Sequence, residues 1–168
     1  MVSQTERADL IAQYAAGYAT VMEALAGIGD AEWDAREAPG EWSPRQVVHH
    51  LADSEMASAL RLRQMLVAEQ AEIVPYDQDE YARVLYYDRP VEGSLAAFAG
   101  ARAATVPILE RMTEEEWART AHHPEEPVYG TELWLRYYAR HAHDHADQIR
   151  RARAAARDAQ TRGTQVTA

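Results

Sequence analysis

The chain has 168 residues and carries 27 acidic against 17 basic side chains, a formal net charge of −10. That length fits one domain with a self-sufficient core. The acidity excludes a nucleic-acid backbone or an anionic membrane as the main partner, since both need a cationic face.

The N-terminal stretch MVSQTERADL is polar where a signal peptide needs an apolar run. No run of about 18 apolar residues offers a membrane span. A cytoplasmic location is therefore expected. The first helix is predicted over about Gln4 to Ala26. Ser3 and Glu6 have capping-box spacing, and Leu10, Ile11, Tyr14, Tyr18, Val21, Met22 and Leu25 recur at helical steps. Gly27 and Gly29 stop it, and a loop carrying Trp33 runs to Pro39-Gly40. The second helix has the strongest start signal in the chain: Ser43 as N-cap, Pro44 at the first helical position and Gln46 completing the box. Its apolar stripe holds Val47, Val48, Leu51, Leu62, Met65 and Leu66, and it should reach about Glu69.

A long connection follows from Ile73 to Pro90, with a short helix near Asp79 to Leu85. Tyr76, Asp77, Tyr81, Tyr86 and Tyr87 are candidates to line a mouth over the bundle end. The third long helix is predicted from about Val91 to Met112, kinked or broken by Pro107. Thr113 and Glu116 form another box around a short turn. Thr131 is expected to cap the last helix, which should end near Asp158. Residues 159–168 read as a disordered tail beyond a single domain of residues 1–158. Four long helices with little strand signal give an all-α four-helix bundle. Its long second-to-third connection leaves simple up-and-down order open.

Cysteine and lysine are both absent. That excludes disulfides, thiolate metal sites, cysteine nucleophiles and Schiff-base lysines. Any metal site must use His, Asp or Glu. The arginines Arg61, Arg63, Arg150, Arg151 and Arg153 read as solvated helix faces. Seven histidines occur, five of them in two tight groups. His141 and His145 are one turn apart on the stripe that carries Trp134, Tyr138 and Ile149, so both should point into the bundle. His143 falls about 160° away and should face solvent. On the second helix, His50 lies about 100° from Leu51 at the stripe's edge and His49 about 160° away, outside. The His141–His145 pair reads either as two hydrogen-bonded core histidines or as ligands; in the second case three imidazoles from two helices, His50, His141 and His145, would hold one divalent ion and leave positions open for water or substrate, as catalytic sites do. Glu55 falls within the apolar stripe. A carboxylate there needs a partner or a chemical role, as general base, further ligand, or ion pair with Arg102. Asp144 points away from the ligands, and His122-His123-Pro124 reads as a turn.

The runs EWSPRQVVHHLADSEM (Glu41 to Met56) and YYARHAHDHADQI (Tyr137 to Ile149) resemble the second-helix and last-helix motifs of the DinB/YfiT-like superfamily of metal-binding four-helix bundles. VPYDQDEYAR and MTEEEWARTAHHP are similar to its intervening segments, so the resemblance spans roughly Gly40 to Arg150. It implies a three-histidine site made of His50, His141 and His145, with nickel or zinc, or else iron or manganese, as the ion. It also implies a homodimer, a crossover helix order and a small-molecule substrate. The activity implied is transfer of a small electrophile to a low-molecular-weight thiol of the bacillithiol or mycothiol type, metal-dependent hydrolysis, or stress-response binding without catalysis. One departure stands at Glu55, where members of the YfiT type tend to carry histidine.

Overall fold

The computed structural model describes residues 2–166, without the side chains of 163–166. Helix α1 spans Gln4–Leu25, α2 Pro44–Val67, α3 Gln78–Val84, α4 Glu92–Leu109, α5 Glu114–Trp117 and α6 Thr131–Val166. A single 3-10 turn covers Asp30–Glu32, and the two-residue strands β1 (Ala71–Glu72) and β2 (Ala121–His122) pair in parallel. Among the described residues, no helix is long and apolar enough to cross a membrane.

The caps form largely as the sequence predicts. Ser43 Oγ accepts from Gln46 N while Gln46 Oε1 accepts from Ser43 N. Thr113 and Glu116 make the same reciprocal pair. Ser3 accepts from the backbone of Glu6. Thr131 departs from expectation: it is the first residue of α6, and its hydroxyl donates to the carbonyls of Glu116 and Trp117. It thereby fastens α6 to α5. The last helix also outruns its expected end at Asp158 and continues to Val166, so the predicted tail is helical as far as it is described; residues 167 and 168 lie outside the described ones. The run RAAARDAQ is rich in strong helix formers and holds no breaker. On its way it meets the loop after α1, where Arg153 donates to Ala26 O at 3.1 Å and to Glu32 at 3.2 Å, and also to Ala24 O. Arg153 is thus buried and not on a solvated face, because the loop after α1 folds over it.

The bundle is built from α1, α2, α4 and α6. Helix α1 packs on α6 and α4, and α2 packs on α4 and α6. Cross-helix bonds fix the directions. Val2 meets Glu132 at one end of α1 and Ala24 meets Arg153 at the other, so α1 and α6 run parallel. His49 bonds Ser94 and Arg63 bonds Thr105, so α2 and α4 are parallel as well. His50 meets His141 while Ser58 meets Trp134, so α2 and α6 are antiparallel. A parallel α2–α4 pair obliges the chain to travel back along the bundle, about 36 Å for a 24-residue helix. That is why the connection from Ala68 to Val91 is long.

Two apolar clusters fill the interior. One gathers Val21, Leu25, Val48, Leu51, Phe98 and Ile149. The other gathers Tyr14, Leu62, Met65, Leu109, Trp117 and Trp134. Between them lies a charged layer. Arg102 of α4 donates Nε to Glu55 Oε1 at 3.0 Å and Nη2 to the same oxygen at 2.5 Å. It also donates to the main-chain carbonyls of Tyr14 in α1 and, at 3.1 Å, Tyr138 in α6. Tyr14 Oη donates to Glu55 Oε2 at 2.9 Å. One guanidinium from α4 therefore bonds the other three bundle helices. Gly17 makes room for it: a Cβ there would stand 2.2 Å from Arg102 Nη1 and 2.8 Å from Ala142 Cβ.

Candidate metal centre

His50 comes from the first half of α2, and His141 and His145 from the middle of α6, where the two helices cross antiparallel. One nitrogen from each ring falls within 4.8 Å of the other two. The Nε2 atoms of His50 and His141 are 3.2 Å apart. Adjacent nitrogen donors about 2.0–2.1 Å from one ion are roughly 2.8–3.4 Å from each other across octahedral and tetrahedral geometries, so this pair is already at ligand spacing. His145 Nδ1 is 2.8 Å from Gln148 Oε1, a bond in which the imidazole must donate. That tautomer leaves its Nε2 lone pair free for an ion. Gln148 is itself anchored to Glu41 at 3.4 Å. The donor set and its spacing fit a divalent cation.

Aromatic rings wall the three histidines. Trp42 lies against His50 with ring centres 4.6 Å apart and stacks on His145 at 6.4 Å. Tyr137 stacks on His141 at 5.3 Å. Burial in this wall pushes the His50 imidazole down to about 3 and the His141 imidazole well below the usual value, with the neighbouring histidines adding to both. Burial lowers His145 too, against the pull of Gln148. All three are therefore neutral at pH 7, the form that ligates metal.

The sign of the resulting acid sensitivity follows from linkage. Below about pH 6.5 unfolded histidines take up protons that the folded ones refuse, so stability falls as pH falls. Each histidine held neutral costs up to ~1.4 kcal/mol per pH unit in that range. Urea unfolding of chelator-treated protein at pH 7, 6 and 5 should show a steepening loss of stability, and His50→Ala should make it shallower.

The structure brings His50, His141 and His145 together and leaves the other sequence candidates elsewhere. Glu55, expected as a base, a ligand or an ion-pair partner of Arg102, bonds Arg102 and Tyr14. Burial raises its carboxyl above the usual range, while Arg102 and Tyr14 pull it down. Its oxygens serve the charged layer, and the Arg102 ion pair is the role the geometry gives it. Asp144 is exposed and faces Arg140 at 3.7 Å. His123 Nδ1 accepts from the backbone of Glu125 and Glu126, a turn element as expected. His49, expected outside, is buried: its Nδ1 is 2.7 Å from Ser94 Oγ and its Nε2 3.1 Å from Arg89 O, because the end of the long connection folds over that face. His143 is half-buried and meets Gln13 O at 3.0 Å. Trp42, Tyr137 and Gln148 do not stand out in the sequence. Gln148 alone leaves a local signal, one turn after His145 on the same helix.

A cavity of about 440 Å³ opens beside His50. Its wall includes Ser54, Arg61, Tyr76, Tyr129, Tyr137 and Tyr138. Of the tyrosines expected at the mouth, Tyr76 is there, with Tyr81 packed on it at 4.4 Å. Tyr87 is buried instead and donates to Asp53 at 2.6 Å, and Tyr86 points to solvent.

A four-helix bundle with two parallel pairs and three histidines at the α2–α6 crossing defines a metal-binding bundle. The sequence profile of the DinB superfamily matches residues 13–149, and the chain belongs to that superfamily. It is 31% identical over 133 residues to the Bacillus subtilis protein named "Putative metal-dependent hydrolase YfiT", covering 78% of this chain and 75% of that one. A relative of the same description in Oceanobacillus iheyensis is 31% identical over 122 residues, covering 73% and 71%. The solved structure of the Bacillus subtilis protein, described as a probable metal-dependent hydrolase with an unusual four-helix bundle topology, superposes with a TM-score of 0.83 at 28% identity, covering 89% of this chain and 86% of that one.

Proposed function

We propose that this protein is a metal-dependent transferase that joins a low-molecular-weight thiol to a small electrophile, with the ion held by His50, His141 and His145. The observation that carries the reading is the convergence of three neutral imidazoles beside a cavity large enough for a cosubstrate. Nickel or zinc suits three nitrogen donors best, with iron or manganese next. A divalent ion bound there lowers the pKa of a thiol or of water and so supplies a nucleophile at neutral pH. In the transfer, the S–H proton leaves to solvent, a sulfur–carbon bond forms, and the leaving group departs with its electron pair. Trp42 and Tyr137 pack against the histidine rings, and the cavity beside His50 receives the reactants. The chain has no cysteine, so the sulfur comes with the cosubstrate.

Hydrolysis is the second reading, favoured by the names of the relatives. Against it as first choice, no carboxylate among the described residues stands at ligand spacing to the three histidines; Asp144, which shares a cleft with His141 and His145, is exposed and faces Arg140. The test uses metal-loaded protein with an aromatic halide or an ester, with and without glutathione, bacillithiol or mycothiol. Thiol-dependent loss of the halide that stops on chelation is the expected result. Ester turnover without thiol selects hydrolysis, and turnover that survives chelation overturns both.

A further inference from the structure

Arg61 is the cation inside the cavity. It lies on α2 eleven positions after His50, about 16 Å further along the helix axis. Helical side chains lean toward the N-terminus, which brings its guanidinium back toward His50. Arg61 donates to Val74 O at 2.8 Å and sits over the Tyr76 ring at 5.7 Å. Among the described residues, no carboxylate forms an ion pair with it, although the chain has ten more acidic than basic side chains. The cluster beside it is phenolic. The Tyr129 hydroxyl is buried beside Arg61 and makes no hydrogen bond of normal geometry, and Tyr137 and Tyr138 complete the wall between Arg61 and His141. The carboxylates of Glu125 and Glu126 belong to exposed residues at the rim.

A lined cavity, a guanidinium without a carboxylate partner and a phenol beside it whose O–H has no acceptor together form a receptor for a negatively charged oxygen group. We infer that this cavity binds the carboxylate end of an elongated ligand, with Arg61 as its charge partner and Tyr129 Oη as a hydrogen-bond donor, while the reactive end lies at the histidines. The position of the reactive end rests on the proposed function; the anion site does not. Specificity for a charged thiol over a neutral one then comes from Arg61. The acidic surface around it repels anions in general, so an anion preference has to arise locally.

The test separates the two ideas by using a probe that needs no metal. Binding of S-methylglutathione and of its diethyl ester to chelator-treated protein is measured by calorimetry. The acid should bind about tenfold more tightly than the ester to wild type, equally with the ester to Arg61→Gln, and with partial preference to Arg61→Lys. Thermal unfolding of each variant verifies the fold, and elemental analysis of undepleted Arg61→Gln should still find about one ion per chain. Ester binding as tight as acid binding, an acid preference that persists in Arg61→Gln, or no binding of either probe at millimolar concentration would each overturn the anion site. Loss of metal binding in wild type would sink the proposed function instead and leave the probe result standing.

Discussion

Glu55→Gln should lower unfolding stability by about 3–5 kcal/mol, because it leaves the Arg102 guanidinium buried without its counter-charge. Both side chains are essentially excluded from solvent, at 3% and 0% exposure. Arg102→Ala should cost as much, since it also strips donors from two mid-helix carbonyls and from Glu55. The double variant Glu55→Leu/Arg102→Met removes both charges and should recover much of the loss, so a double-mutant cycle by urea unfolding should give a strongly non-additive coupling. The loss should be the same with and without bound metal. A Glu55→Gln protein of wild-type stability but without activity would return this carboxylate to the role of general base.

His141→Ala should abolish metal binding while leaving the fold in place. Purified wild type, produced without a histidine tag, should carry about one divalent ion per chain by elemental mass spectrometry, and His50→Ala and His141→Ala close to none. An ion at a thousandfold its dissociation constant stabilises the folded state by about 4 kcal/mol. Chelation should therefore lower the melting temperature of wild type and not that of His141→Ala. Equal melting temperatures for wild type with and without chelator, together with no metal, would reduce the three histidines to a hydrogen-bonded core cluster.

What the sequence made legible was what is local. The Ser43–Gln46 and Thr113–Glu116 boxes set helix starts that hold in the structure, because a cap needs only three residues and its own backbone. The stripe of Trp134, Tyr138, His141 and Ile149 is buried as its spacing predicts. His50 could be picked over His49 by its angle to Leu51, yet both are buried. A helical wheel describes one helix and knows nothing of the segment that later folds over its far side, here Tyr87 and Arg89. The Glu55–Arg102 pair was visible only as one of three alternatives, since a charge on an apolar face announces that it has a partner without naming it. The cavity was the least legible part. Arg61 lies on α2, Tyr137 on α6 and Tyr129 in the loop before it, so they meet only where α2 packs against α6, and Arg61 read on its own helix as a solvated charge.

The pairing of α1 with α6 has a consequence for how the molecule comes into being. The first helix made packs on the last, and roughly 100 residues separate the end of one from the start of the other. At about 5–20 residues per second of synthesis, α1 waits on the order of 5–20 s for the helix that covers most of its apolar face, with only α4 made earlier to pack on it. During that interval His50 is already displayed, and neither His141 nor His145 exists. Until α6 is made, the chain holds one of the three imidazoles that form the site. The three-histidine site is therefore complete only once α6 is made past His145.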